Sequence, residues 1–249
     1  MEAYRKLCTA FYDLAMPEPH ENSMALYRPI AQKVAGPVLE PMCGSGRYLI
    51  PMLELGVDID GTDASEHMLA SCRQRCAERG LKANLSHQYL QQLDLPRKYG
   101  FVFIPAGSIG LITDLNEVQE SLNRIYAHLL PGGLFSVEIE TLNARPATSD
   151  LWKGRWVERS DGAKIVLSEL DQWDEENGIN RSLNRYELFE DGVLVATELE
   201  CIEVRYYELG AFKSMLEDAG FQHVTAYNRY THDKATSEDT AIVIECSRP

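Results

Sequence analysis

No stretch of this 249-residue chain is apolar for long enough to cross a bilayer as a helix, so no membrane span is expected. The opening residues, MEAYRKLCTAFYDL, lack the apolar core of a signal peptide, and a cytoplasmic location is expected. Paired cysteines are also missing. The six cysteines are scattered and contain no C-x-x-C. Cys72 and Cys76 lie one helical turn apart, but two thiols without further ligands make a poor metal site. Reduced cysteines in a cytosolic protein are the simpler reading. None of the six histidines has metal-ligand spacing; His67, His87 and His128 read as surface or packing residues, and no metal is expected. Basic residues are in short supply, 24 against 38 acidic, for a net charge of −14. The average field would repel a phosphate backbone, which argues against a nucleic-acid partner.

What is present is enough apolar material, 45% of the residues, for one large domain carrying an insertion. Tyr4, Leu7, Cys8, Phe11, Tyr12 and Ala15 share one face of a helix over 2–15, which Met16-Pro17-Glu18-Pro19 ends. A second short helix is expected over 22–34. Strands are expected at 37–41, 57–62, 84–89, 101–105 and 134–140. The intervening helices start near Arg47, after Ser65, and after the capping sequence Asp114-Leu115-Asn116-Glu117. Strand and helix in alternation imply a parallel sheet with right-handed crossovers.

After Thr141 the rhythm changes. Asp161-Gly162, Asn177-Gly178 and Asp191-Gly192 are two-residue hairpin signals separated by strand formers. They predict an antiparallel meander of four strands over 150–207, holding all three tryptophans. A helix over Leu209–Ala219 and a closing hairpin of strands, 222–230 and 239–246, complete the chain. The fold class is therefore α/β: a doubly wound, mostly parallel seven-stranded sheet with an antiparallel edge hairpin, plus the inserted meander. One domain spans 1–249, with a helical cap (1–34), a core (35–142), the insertion (143–207) and the rest of the core (208–249).

The most informative segment is Val38-Leu39-Glu40-Pro41-Met42-Cys43-Gly44-Ser45-Gly46-Arg47, answered by Gly61-Thr62-Asp63-Ala64-Ser65. The first is an apolar strand, an acid and a small-residue turn into a helix. The second is a strand ending in an aspartate, which can accept hydrogen bonds from both hydroxyls of a ribose. Glycines let a backbone approach a ligand. Alone, each feature has a plainer explanation: turn glycines, a helix-start aspartate, a core methionine at Met68. Their joint occurrence favours a nucleoside site, since Asp63 falls 23 positions after Glu40, near the roughly 20 of a strand–helix–strand unit. A dinucleotide site prefers G-x-G-x-x-G, but Leu49 stands three after Gly46, and no Gly-Lys-Ser/Thr follows.

These motifs resemble those of the class I S-adenosylmethionine (SAM)-dependent methyltransferases. Glu40, Gly44 and Gly46 match the acid and the Gly-x-Gly-x-Gly turn, with Met42 where the first glycine is usual. Asp63 matches the acid closing the second strand, and Pro131-Gly132-Gly133 the turn before the fifth. The resemblance runs from Val38 to Ile139 and resumes from Leu209 to Cys246. It implies SAM as cofactor and S-adenosylhomocysteine as product. Glu40, Met42, Gly44 and Gly46 would serve the amino-acid tail, Asp63 the ribose, and Ala64, Met68, Leu90 and Gln91 the adenine. Pro105 and Ala106 would lie near the sulfonium. Many relatives carry an aspartate at the third strand's tip, where this chain has Tyr89 or Gln91.

The resemblance further implies a small-molecule acceptor, an amine ahead of a hydroxyl, held by Tyr4, Tyr12, Ser108, Glu140, Arg205 and the meander. No base is secure; the candidates are Tyr12 and Glu140. Tyr12 reads equally as a helix-packing aromatic. Glu140 reads also as a solvent-facing strand residue, and Arg205 and Tyr207 as part of a solvated face. The chain lacks the Asn/Asp-Pro-Pro-Tyr/Phe signature of methylation on bases and glutamine, reading Ile104-Pro105-Ala106-Gly107 instead. The meander's layout is similar to the insertion of small-molecule N-methyltransferases, which often pairs subunits, and so points to a homodimer. Met42 and the missing acid leave the alternative of a SAM-binding protein without transfer activity.

Overall fold

The computed structural model describes residues 4–146, 151–231 and 233–249. The start of the first expected helix and the lead into the meander fall outside these. Two helices come first, α1 (Lys6–Ala15) and α2 (Glu21–Lys33), followed by β1 (Val38–Pro41), α3 (Leu49–Glu54), β2 (Ile59–Asp63), α4 (Glu66–Glu78) and β3 (Asn84–His87). Next are β4 (Tyr99–Ile104), α5 (Leu115–His128) and β5 (Leu129–Glu140). The insertion is β6 (Lys153–Glu158), β7 (Lys164–Asp174), β8 (Ile179–Glu190) and β9 (Val193–Arg205). The chain then returns to the core as α6 (Leu209–Asp218), β10 (Gln222–Asn228) and β11 (Ala241–Ser247).

The main sheet has the order β10-β11-β5-β4-β1-β2-β3. Its inner pairs are parallel, and β11 runs antiparallel to both β5 and β10. Strands buried on both faces, such as β4 (YGFVFI), are apolar without alternation because helices cover each side. One face packs against α5 and α6 through Val102, Ile104, Val137 and Ile139. The other packs against α2, α3 and α4 through Val38, Phe101 and Phe103. The expected caps form: Ser65 Oγ accepts from Met68 N, and Asp114 accepts from the amides of Asn116 and Glu117. His128 is a packing residue, bonded through its two ring nitrogens to Leu95 N and Arg124 O.

Some boundaries differ from the expectations. β5 begins at Leu129, not 134, because the Pro-Gly-Gly segment stays in the sheet, with a register shift opposite Tyr99 and Phe101. α3 begins at Leu49, which places Pro51 in its first turn, where a missing N–H costs nothing.

The meander is a separate four-stranded sheet ordered β6-β7-β8-β9. One of its faces covers α1: Leu7, Cys8 and Phe11 are buried against Ile165, Leu167 and Tyr186. Two glutamates on β9 fix the start of that helix. Glu200 accepts from the amides of Tyr4 and Arg5, and Glu198 from those of Leu7 and Cys8. Helix-start amides have no partner within the helix, and carboxylates suit the positive end of its dipole. The sequence of α1 carries no capping side chain, so the insertion supplies one. Glu200→Ala is expected to lower stability by about 1–2 kcal/mol. A urea midpoint equal to wild type would contradict that role.

Candidate active site

The C-terminal ends of β1, β2 and β4 open into a cavity of about 530 Å³. Ligands of doubly wound sheets bind at this edge, where strand order reverses between β1 and β4. The loop after β1 forms its floor. Met42 (φ 57°), Gly44 (φ 55°) and Gly46 (φ 84°) all adopt left-handed backbone. Met42 thus keeps the turn that a glycine would make, at a strain of about 1 kcal/mol. The two glycines differ in purpose. A side chain on Gly46 would strike Cys72 Sγ at 2.6 Å, so its absence lets the loop pack on α4. A side chain on Gly44 would meet nothing closer than Met68 Sδ at 3.9 Å, so that position faces the cavity.

Asp63 closes β2 at the cavity wall. Its Oδ2 accepts from Gly44 N and its Oδ1 from Ser65 N, each at 2.8 Å. Burial pushes its carboxyl above the ordinary aspartate range, opposed by these amides. A carboxylate has about four acceptor sites, so lone pairs remain for a ligand after the two amides are served.

Glu40, at the end of β1, is buried, and its Oε2 has no partner. Burial holds its carboxyl well above the usual range; Arg47 opposes this and Asp63 adds to it. Arg47 stands over the rings of Tyr12 and Tyr48 at 5.3 and 5.2 Å, and its Nε is also buried without a partner. A buried acid and an arginine with one buried, unpartnered nitrogen, near a cavity, suit the ammonium and carboxylate of an amino-acid tail.

Of the expected cofactor and acceptor residues, Met42, Gly44, Asp63, Ala64, Met68, Leu90 and Gln91 line the cavity, as do Tyr4, Tyr12 and Ser108. Tyr4 and Tyr12 belong to the roof that α1 makes, and Ser65 Oγ ties it down by donating to Tyr4 O at 2.8 Å. Burial pushes the Tyr12 phenol up to about 12, so it keeps its proton at neutral pH. Glu40, Gly46, Pro105, Ala106, Glu140 and Arg205 stand outside the lining. Arg205 donates to the carbonyls of Thr113 and Asn177, so it joins the meander to the loop after β4. Tyr207 is buried against Phe212, away from any solvated face. Sequence reasoning did not single out Arg47, Thr113 or Glu203; the last lines the cavity from β9. Gln88 and Gln91 both line the cavity, and the Gln88 amide is held by hydrogen bonds with both backbone groups of Asp94.

Glu140, at the tip of β5, lies beside the loop after β4. A side chain on Gly107 would come within 3.2 Å of its Cγ. The carboxylate is 31% exposed. Burial raises its pKa; Arg229 lowers it and Glu138 raises it further. Tyr206, set edge-on to Trp173, faces the same carboxylate.

Strand order, the glycine turn and the acid at the end of β2 are those of a Rossmann-like α/β domain. Residues 38–133 match the family described as "Methyltransferase domain". That stretch runs from β1 into β5 of the Rossmann-like sheet. It is 32% identical over 114 residues to the dTDP-3-amino-3,6-dideoxy-alpha-D-glucopyranose N,N-dimethyltransferase of Streptomyces fradiae, covering 46% of this chain and 43% of that protein. It is 29% identical to the dTDP-3-amino-3,4,6-trideoxy-alpha-D-glucopyranose N,N-dimethyltransferase of Streptomyces venezuelae, covering 53% of each. The chain spans about half the length of these curated relatives. Among solved structures, an S-adenosylmethionine-dependent methyltransferase from Clostridium acetobutylicum superposes with a TM-score of 0.78 at 15% identity, over 99% of both chains. The sugar N-methyltransferase KedS8 from Streptoalloteichus gives 0.78 at 17% identity, over 100% of this chain and 95% of that one.

Proposed function

We propose that this protein transfers a methyl group from SAM to the nitrogen of a small amine of the amino-sugar type. The observation that carries the reading is Asp63 and the open face of Gly44 lining one cavity, with the unpartnered Glu40 Oε2 and Arg47 Nε on the same strand and loop outside that lining. Asp63 would take the ribose hydroxyls, Glu40 the tail's ammonium and Arg47 its carboxylate. Met68, Leu90 and Ala64 would enclose the adenine, and Gln91 offers an amide to its edge. When bound, SAM supplies a methyl on a positively charged sulfur, and its departure leaves S-adenosylhomocysteine. The names of the Streptomyces relatives support an amine of an amino sugar as acceptor.

The protein's own contribution is to orient the acceptor, exclude water and manage one proton. α1 and β9 roof the cavity. The Glu140 carboxylate, partly exposed at the tip of β5 beside the loop after β4, would receive the ammonium of an amine and take the proton that its nitrogen must lose before or during methylation. Tyr12, a neutral phenol, serves as a hydrogen-bond donor and cavity wall. Calorimetric titration with SAM and S-adenosylhomocysteine tests the cofactor site: micromolar binding of both is expected, and no binding by folded protein would sink the reading.

We further propose a homodimer formed through the insertion. Trp156 and Leu199, 57% and 50% exposed, project from the meander on the face away from α1. Exposed apolar side chains on an otherwise charged sheet suit burial against a second copy. Sedimentation at tens of micromolar protein is expected to give the dimer mass; a single monomeric species would contradict it. Among the described residues no helix is long and apolar enough to cross a membrane. Free cysteines, five of them buried, support a reducing, cytoplasmic setting.

A further inference from the structure

Glu138 precedes Glu140 by two positions on β5, so the two carboxylates point to the same face of the sheet. Glu138 is fully buried. Its Oε2 accepts from Ala106 N at 3.1 Å and from the Tyr230 hydroxyl, and its Oε1 accepts from Arg229 Nη2. That same Nη2 stands 3.8 Å from Glu140 Oε1. Arg229 follows β10 and lies 91 positions from Glu138 in the chain. Its ring-stacking contact is Tyr230, at 5.4 Å, and Tyr230 in turn stacks on His20. One guanidinium therefore serves two carboxylates, one fully buried, the other partly exposed.

We infer that Arg229, anchored on Glu138, is a positioning residue that holds the Glu140 carboxylate ionised and aimed at the acceptor nitrogen. The inference rests on the proposed amine-methylating reading of the site. A buried acid carries a charge at neutral pH only if a cation or hydrogen bonds offset the loss of water. Glu138 has three donors and fixes the guanidinium. Glu140 has fewer partners and takes its electrostatic support from the same Nη2 that Glu138 holds in place. The groups facing Glu140 are Arg229, which favours its ionised form, Glu138, which opposes it, and the Tyr206 phenol, which burial pushes up to about 12 so that it stays neutral. The same Glu138 carboxylate holds the amide of Ala106, whose φ of 59° is left-handed. The loop after β4 and the acid at the tip of β5 are thus set by a single buried group. The proton balance is simple: the amine nitrogen loses one proton as its bond to carbon forms, Glu140 receives it, and solvent at its exposed edge removes it.

The test follows the carboxyl carbon of Glu140 by NMR against pH, its signal assigned by loss in Glu140→Gln. In Arg229→Gln the Glu140 titration is expected to move upward by about one pH unit, the change that losing a cation at this distance brings. The acid limb of kcat/KM for an amine should move with it, while SAM affinity stays unchanged. Arg229→Lys keeps a charge but loses the planar guanidinium that lies over the Tyr230 ring, so its flexible ammonium aims Glu140 less firmly. It should leave the titration near that of wild type yet lower kcat several-fold. Unchanged titration in Arg229→Gln would overturn the inference, and so would a fully active Arg229→Lys. The latter outcome decides even if Arg229→Gln does not fold. Failure of every amine as a substrate would strike the functional reading instead, because the NMR titration reports on Arg229 and Glu140 without turnover.

Discussion

Asp63→Ala should weaken SAM and S-adenosylhomocysteine binding at least tenfold, about 1.4 kcal/mol, in calorimetric titration. Two losses add in the same direction. The ribose loses its carboxylate, and the amides of Gly44 and Ser65 lose the acceptor that holds the loop after β1 against β2. The second loss matters because Gly44 is the glycine open to the cavity, and left-handed Met42 leaves the loop with little conformational margin. Asp63→Asn should fall between, since one carbonyl oxygen can serve one of the two amides. Equal affinity in wild type and Asp63→Ala would mean that the nucleoside does not sit at the end of β2.

Glu140→Gln should lower kcat for an amine acceptor by about a hundredfold, within the usual range for losing a general base, and leave cofactor affinity unchanged. The pH profile carries the sign. Burial raises the Glu140 pKa above the ordinary glutamate range, against the pull of Arg229. The carboxylate is the active form, so the wild-type kcat/KM should fall as pH drops through that raised value. Glutamine cannot titrate, so the variant should lose this part of the acid limb and keep only the part due to the amine itself. A Glu140→Gln enzyme with wild-type kcat and profile would show that the acceptor loses its proton to water.

The core was largely legible in the sequence because its signals are local. Strand β4 is apolar throughout, and Ser65 and Asp114 stand where helix starts need oxygen acceptors. The three hairpin dipeptides placed the meander's turns, where Gly162, Gly178 and Gly192 all take positive φ. The loop after β1 and Asp63 were found by spacing. What stayed hidden depends on contacts between distant residues. Glu198 and Glu200 read as ordinary strand acids, yet they cap a helix about 190 positions earlier. Arg205 was an expected acceptor contact, but its Nε and Nη1 donate to the carbonyls of Thr113 and Asn177. The pairing of Arg229 with Glu138 has no spacing that a sequence would show. A clue was available in Val137-Glu138-Ile139-Glu140, where two acids alternate with apolar residues at the end of a buried strand. Period-two acids on a covered face need partners, and those partners mark the site.

The central claim is methyl transfer to an amine. The most direct measurement incubates the purified protein with SAM and a panel of primary amines, amino sugars free and nucleotide-linked among them, and reads products by mass spectrometry. The account predicts that an amine gains one or two methyl groups, with matching formation of S-adenosylhomocysteine. Tight binding of SAM with no methyl gained by any amine or hydroxyl would contradict it, and would leave a protein that binds the cofactor without using it.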